Sequence, residues 1–474
     1  MAKPTVVLVP VWGIGHFVPM LEVGRRLLER SGRRLTITVV IMPAPTPKLA
    51  SEIDEQMRKA EAADPDIRSM YVPFVAPPTD HSGIEEFVSR YVQMYAPHVK
   101  TAVSGLTCGP VAAVVVDLFC TTLLDATQEL GVPSYVYMIS SAAMCALLLR
   151  SPGLDKEVDG EFVEVDVPGL PPVPASCLPT GLENRNLTTY NWFVYNGRRY
   201  MEASGIIINT FAELEPRVLA AVVNGQCTRG IRPPPVYAIG PVIPVPPPTA
   251  TADEQEHECV QWLHTQPPAS VLFLCFGGGG YSTAPQAYEI ARALERSGHR
   301  FLWVLRGRPA PGTKQPTDGD LAELLPPGFL EKTRDRGLVW PKRAPQKQIL
   351  AHAAVRGFAT HCGWNSILES LWFGMPMLPW PDAAEQHYNA FTIVVSMGVA
   401  VAMNVDRKNN NFVEAAELER AIKALMDGEE GKKVREKTVE MKAASFKALE
   451  KGGSSYMALQ KLCEALHDGA VLTS

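Results

Sequence analysis

The sequence predicts an α/β protein of two domains, each built on a mostly parallel sheet covered by helices on both faces. Three observations carry that expectation. Apolar, β-branched runs at 5–11, 35–42, 111–116, 134–139 and 205–209 alternate with helical or loop segments, as buried parallel strands do. A second series of the same plan begins at 271–276, continues through a glycine turn, a helix to about Arg296 and a strand at 301–305, and runs to Ala402. The chain has 474 residues, more than one hydrophobic core usually organises.

Taken in order, the first unit reads strand, glycine turn, helix. The run 5–11 is followed by Gly13-Ile14-Gly15-His16 and by an amphipathic stretch, 19–30, in which Met20, Leu21, Val23, Leu27 and Leu28 fit helical spacing. Residues 233–249, PPPVYAIGPVIPVPPPT, lose backbone donors at every proline and are expected to be an interdomain linker. The expected domains are therefore 1–248 and 250–455, with 456–474 as a closing segment. Beyond Val413 the chain is charged and helical, and its GEEGKK and KALEKGG runs read as solvated helix faces.

Composition narrows the function. Hydrophobic residues make up 46% and charged residues 20%, which excludes global disorder. With 45 Lys+Arg against 50 Asp+Glu the formal charge is −5, so no basic surplus awaits a polyphosphate backbone and nucleic acid is not an expected partner. The start, MAKPTVVLVPVWG, lacks a long apolar region and cleavage site, and the apolar stretch 111–120 is broken by Asp117, well short of the roughly 20 residues that span a bilayer. No membrane span and a cytoplasmic location are expected. The nine cysteines, Cys108 among them, form no CxxC pair and suit reduced thiols better than a disulfide frame or zinc site. Without a secretion signal, the sequon Asn186-Leu187-Thr188 is read as unused.

In open α/β sheets ligands bind beyond the carboxyl ends of the strands, so two such domains facing each other would form a cleft. Gly13-Ile14-Gly15 lacks the third glycine of a dinucleotide fingerprint, and no acidic residue ends the next strand, which weakens the case for a nicotinamide cofactor. His16, just past the glycine turn, suits proton transfer at a strand's carboxyl end, or is a loop histidine satisfied by backbone. Asp117 ends the run VAAVVV, where a carboxylate must find a partner or neutralise. It either pairs with a histidine, fixing the tautomer and stabilising the imidazolium, or caps a segment starting at Phe119.

The densest constellation is APQKQILAHAAVRGFATHCGWNSILESLWFGMPMLPWPDAAEQ, residues 344–386. His361 precedes a glycine and a helix expected to begin near Trp364, so imidazole, backbone N–H groups and the positive end of the dipole can converge on a diphosphate. This stretch resembles the signature box of plant UDP-sugar-dependent glycosyltransferases of small molecules. The similarity extends to the His16 turn, the VVVDLF segment, the IIINTFAELEP run and the QWLHTQPPASVLFLCFG entry to the second domain, and is strongest toward the branch acting on flavonoids and related phenolics. It implies the GT-B fold, two facing Rossmann-like domains with a C-terminal helix, 456–474, crossing back to the first.

The resemblance also implies roles. His361, Asn365 and Ser366 would contact phosphate, Glu369 the ribose hydroxyls, and Trp364, Glu385 and Gln386 the sugar, with Gly15, Gly278, Arg343, Ala344, Gln346 and Gly363 completing the donor side. His16 becomes the general base for the acceptor hydroxyl, Asp117 orients it, and displacement inverts the anomeric carbon. UDP-sugar is then a co-substrate, with no metal and no resident cofactor, in an enzyme expected to be a monomer. Asp64-Pro65-Asp66 and Asp318-Gly319-Asp320 match the DxD pattern of metal-dependent transferases but lie in polar, turn-prone stretches and are read as loops.

Several positions depart from the family. Arg343 replaces the tryptophan that stacks on uracil, a replacement also found in members using UDP-glucuronate; its planar fork matches a carboxylate, so glucose and glucuronate are both expected donors. Ile139 stands where a threonine is common, Gly278 where the turn carries serine, and Asp382-Ala383 where a larger apolar pair is usual. If it faced the site, Asp382 would repel a glucuronate. Competing readings are a UDP-sugar-binding protein without turnover and a UDP-sugar epimerase. Acceptor choice depends on loops such as 69–82 and 170–189, and Met138, Met144 and Phe119 either line an apolar pocket or belong to the core.

Overall fold

The computed structural model describes residues 3–107, 109–157, 160–244, 256–310 and 315–472. Cys108 and the 245–249 end of the expected linker lie outside them. The chain divides into two compact units, Met1–Pro244 with Lys447–Ser474, and Val245–Phe446. Residues 447–455, expected in the second domain, belong to the first unit.

The first unit is organised by a seven-stranded parallel sheet in the spatial order Ile67–Tyr71, Thr36–Ile41, Thr5–Val9, Val111–Asp117, Ser134–Met138, Gly205–Ile208, Val236–Ala238. Its central strands are buried throughout, which explains their unbroken apolar runs. Two strands differ from the sequence expectation. Val236–Ala238 lies inside the proline-rich stretch read as linker, yet pairs with Gly205–Ile208. It is an edge strand, where flanking prolines cost little because one side of the ladder needs no donors. Ile67–Tyr71 was hidden by its polar composition and takes in the start of the 69–82 loop.

The first helix runs Ile14–Arg30 rather than from residue 19, so His16 sits in its opening turn and not in a loop. Pro19 is tolerated there because it omits only the N–H that would bond back to residue 15. The closing helix Ser454–Leu472 is tied to this unit by Ser455, whose hydroxyl donates to the Gly240 carbonyl at 2.5 Å, and by Arg30, whose guanidinium lies 3.5 Å from the centre of the Tyr456 ring.

The second unit carries a five-stranded parallel sheet in the order Gly337–Trp340, Arg300–Val304, Val271–Cys275, Val355–Thr360, Met377–Pro379. Helix Ala284–Ser297 buries Ile290, Ala291 and Leu294 in a core shared with Trp303 and with Leu418, Ile422 and Leu425 of helix Ala415–Met426. Asp318 ends a short antiparallel strand, Pro316–Asp318, rather than lying in a loop, because the buried Arg306 holds the carbonyls of Pro316 and Thr317. Asp320 caps helix Leu321–Leu324.

A buried carboxylate braces the first unit. Glu215 accepts hydrogen bonds from the backbone N–H groups of Ala142 and Ala143, both at 2.9 Å, and from Thr210 at 2.5 Å, closing the amino end of helix Ala142–Glu157. Glu215→Ala removes the acceptor of all three hydrogen bonds and is expected to destabilise the protein by about 2–4 kcal/mol, measured by urea unfolding.

Candidate active site

Both parallel sheets reverse their strand order beside the first strand of each unit, and ligands gather beyond strand ends at such a reversal. In the first unit it falls between Thr5–Val9 and Val111–Asp117, whose following residues deliver His16 and Asp117. His16 Nδ1 lies 2.8 Å from Asp117 Oδ2, with the carboxylate fully buried and the imidazole 28% exposed. The other carboxylate oxygen accepts from the backbone N–H of Phe119 at 3.1 Å. Asp117 therefore takes the histidine-pairing role; its bond to Phe119 closes a turn and caps no helix, since the next helix, Leu123–Glu129, begins later with Thr122 as its N-cap. An ionised carboxylate only accepts, so Nδ1 carries the proton and Nε2 is the basic nitrogen. The Phe119 ring, centred 6.0 Å from the imidazole, is its aromatic neighbour. Met138 and Met144 are core residues. Gly15, exposed in the same helical turn, adds no side chain.

In the second unit the reversal falls between Val271–Cys275 and Val355–Thr360. Beyond the fourth strand Cys362, buried and in the left-handed region at φ +64°, turns the chain into helix Trp364–Phe373, whose N-cap Gly363 offers no side-chain hydrogen bond. The positive amino end of that helix therefore has no side-chain cap. The His361 ring lies between two glycines: a Cβ on Gly277 would come within 2.6 Å of it, and one on Gly363 within 2.5 Å. Gly277 also has φ +74°. Gly278, singled out from the sequence, has nothing within 4 Å of a built Cβ, so a serine there would meet no obstruction. Gly277 and Gly280 are the constrained glycines of the turn, since a Cβ on Gly280 would meet the Phe276 carbonyl oxygen at 2.1 Å, and only the fold identifies them. Burial pulls the His361 imidazole down to about 4, so it is neutral at physiological pH, and its buried Nδ1 has no hydrogen-bond partner among the described residues.

One turn further, Ser366 and Glu369 share a helix face. Gln346, at the start of helix Gln346–Ala351, donates to Ser366 Oγ at 2.9 Å and Glu369 Oε2 at 2.8 Å, joining them into one polar cluster. Burial pushes the Glu369 carboxyl up, opposed by the hydrogen bond from Gln346 and the charge of Lys347. Trp364 is only 3% exposed, so most of its ring is packed in the core, and Asn365 beside it is half-buried. Ala344 packs on the apolar cluster around Ile349. Arg343 is exposed, and its carbonyl accepts from the Trp340 indole at 3.2 Å.

Glu385 and Gln386 open helix Gln386–Phe391. Gln386 Oε1 accepts from the backbone N–H groups of Asp382, at 2.9 Å, and Ala383, at 3.2 Å, which directs its amide NH2 away from that turn. Asp382 is exposed, with its carboxylate 3.4 Å from Asn411 Nδ2. Asn389, buried within that helix, donates to the Cys362 carbonyl at 3.0 Å and so ties the helix to the turn that precedes helix Trp364–Phe373. Asp64 and Asp66 are held by Arg33, and Asp66 also by Lys3. Among the described residues no helix is long and apolar enough to cross a membrane.

A family model described as UDP-glucoronosyl and UDP-glucosyl transferase matches residues 249–440. Malvidin galactosylase UGT88C3 of Oryza sativa subsp. japonica is 59% identical over 98% of this chain and 98% of its own. The anthocyanidin 5,3-O-glucosyltransferase of a Rosa hybrid cultivar is 36% identical, covering 98% and 99%. Among solved structures, Phytolacca americana UGT2 complexed with UDP-2fluoro-glucose and pterostilbene superposes with a TM-score of 0.86 at 32% identity, covering 98% of this chain and all of that one. Medicago truncatula UGT71G1 complexed with UDP-glucose gives 0.84 at 33%, covering 98% of each.

Gly277→Ala forces a side chain into the His361 ring and strains a left-handed residue. It is expected to weaken UDP binding at least about tenfold, measured by titration calorimetry.

Proposed function

The chain belongs to the UDP-glucoronosyl and UDP-glucosyl transferase family, of GT-B fold, as an inverting enzyme that moves a sugar from a UDP-sugar to a hydroxyl of a small phenolic acceptor, and on that premise we propose how its residues divide the work. His16 is the general base and Asp117 its orienting partner. The observation that carries this is the 2.8 Å bond from Nδ1 to a fully buried carboxylate, which makes Nε2 basic and offsets the charge it gains. The acceptor hydroxyl gives its proton to Nε2 as its oxygen bonds to the anomeric carbon. The bond from that carbon to the UDP oxygen breaks on the opposite face, so configuration inverts.

The leaving diphosphate is received at the positive amino end of helix Trp364–Phe373 with His361, Asn365 and Ser366. As a neutral imidazole His361 contributes a hydrogen bond rather than a charge. Glu369, already held by Gln346, takes the ribose diol, and Trp364, Glu385 and Gln386 take the sugar. Gly15, Gly278, Gly363, Ala344 and Arg343 complete the donor side as backbone or boundary.

The relative named a malvidin galactosylase supports UDP-galactose as donor and an anthocyanidin as acceptor, with UDP-glucose the nearest competitor. Arg343 supports a second reading, UDP-glucuronate, because a guanidinium fork suits a carboxylate. No metal enters the proposal, since Asp64 and Asp66 already neutralise Arg33 and Lys3 and Asp320 caps a helix. We place the enzyme in the cytoplasm as a monomer.

Purified protein offered UDP-galactose, UDP-glucose and UDP-glucuronate with malvidin and a flavonoid panel is expected to form monoglycosides, read by mass, at rates unchanged by EDTA; absence of product with every pair defeats the proposal. His16→Ala is expected to abolish O-transfer with UDP affinity within about twofold of wild type, and Asp117→Asn to lower kcat by about 10²–10⁴. If Arg343→Trp and wild type turn over all three donors equally, Arg343 has no part in donor choice.

A further inference from the structure

We infer that Asn411, outside the signature box, is a positioning residue that fixes the sugar-side loop 380–387 and thereby tunes which hexose is accepted; this rests on the assignment of Glu385 and Gln386 to the sugar proposed above. Asn411 lies in the turn closed by the antiparallel bridge between Asp406 and Phe412, with φ +60°, beside Asn410 at φ +52°. Asparagine is among the few residues with a side chain that enter this region readily, and here the conformation turns three of its polar groups onto one short segment.

Its carbonyl oxygen accepts from Trp380 Nε1 at 3.0 Å. Its Nδ2 donates to the Asp382 carbonyl at 2.8 Å. Its Oδ1 accepts from His387 Nε2 at 2.8 Å. The direction of the last bond follows from chemistry: a carbonyl-facing amide nitrogen fixes the amide's orientation, so the oxygen must face the imidazole and can only accept. His387 is buried, and burial with the nearby charge of Arg407 keeps its ring neutral.

The three anchors bracket the two sugar-side residues. Between them Ala384 is held at φ +53°, a strained conformation that persists only where its surroundings over-determine it. The peptide groups of Asp382 are gripped on both sides, the N–H by Gln386 Oε1 and the carbonyl by Asn411 Nδ2. Since Gln386 is oriented by that N–H, the aim of its donor amide depends on where Asn411 holds Asp382. Hexoses that differ at one hydroxyl are told apart by such placement, to within about 0.5 Å.

Asn411→Gly keeps the left-handed backbone and the carbonyl that Trp380 needs, and deletes only the amide. It is expected to raise KM for the UDP-hexose about tenfold, to leave the Kd of UDP within about twofold, and to shift the ratio of kcat/KM for UDP-galactose over UDP-glucose at least about threefold. Asn411→Asp retains the acceptor for His387 but not the donor to Asp382, and is expected to shift the same ratio. Gln386→Ala separates this inference from the reading beneath it. If Gln386→Ala leaves KM for the UDP-hexose unchanged, the sugar assignment fails and the role of Asn411 with it. If Gln386→Ala raises KM while Asn411→Gly leaves KM and the hexose ratio unchanged, or lowers only kcat and the melting temperature, Asn411 is merely structural.

Discussion

A parallel sheet whose strand order reverses beside its first strand leaves, at the carboxyl ends, two loops departing in opposite directions with a gap between them. Both units are built around that constraint. In one, the gap is bordered by the ends of Thr5–Val9 and Val111–Asp117 and holds an imidazole against a buried carboxylate. In the other it is bordered by the ends of Val271–Cys275 and Val355–Thr360 and holds an imidazole between two glycines at the start of a helix. The same topology therefore sets two histidines in different surroundings, one proposed as a base and the other as part of an anion cradle, and the neighbours of each distinguish them.

Those neighbours act through simple electrostatics. His16 has a carboxylate at Nδ1, so the proton is held on that nitrogen and positive charge on the ring is compensated. His361 has no such partner; burial alone sets its behaviour and keeps it neutral. The donor side adds a second feature: Cys362, Ala384 and Asn411 all have left-handed backbones, and all lie in turns around the proposed phosphate and sugar contacts. Side chains at such angles are costly, and here each is secured by hydrogen bonds in its turn, from Asn389 to the Cys362 carbonyl, from Asp382 and Ala383 to Gln386, and from Trp380 and His387 to Asn411.

The sequence by itself determined the class of fold, the central strands and the identity of the chemical groups. Buried parallel strands must be continuously apolar, and a residue type that performs chemistry is visible wherever it stands, so His16, Asp117 and the box from Ala344 to Gln386 could be singled out without coordinates. Tertiary structure alone decided what depends on partners distant in the chain. It started the first helix at Ile14, made an edge strand of Val236–Ala238 where prolines suggested a linker, and gave Asp117 its histidine partner 101 residues away. It also set a steric constraint at Gly277, against the His361 ring, and drew Asn411 to Asp382, 29 residues away along the chain. The reason is physical: periodicity and propensity are local, whereas hydrogen-bond partners, burial and steric contact are set by which strand ends the fold brings side by side.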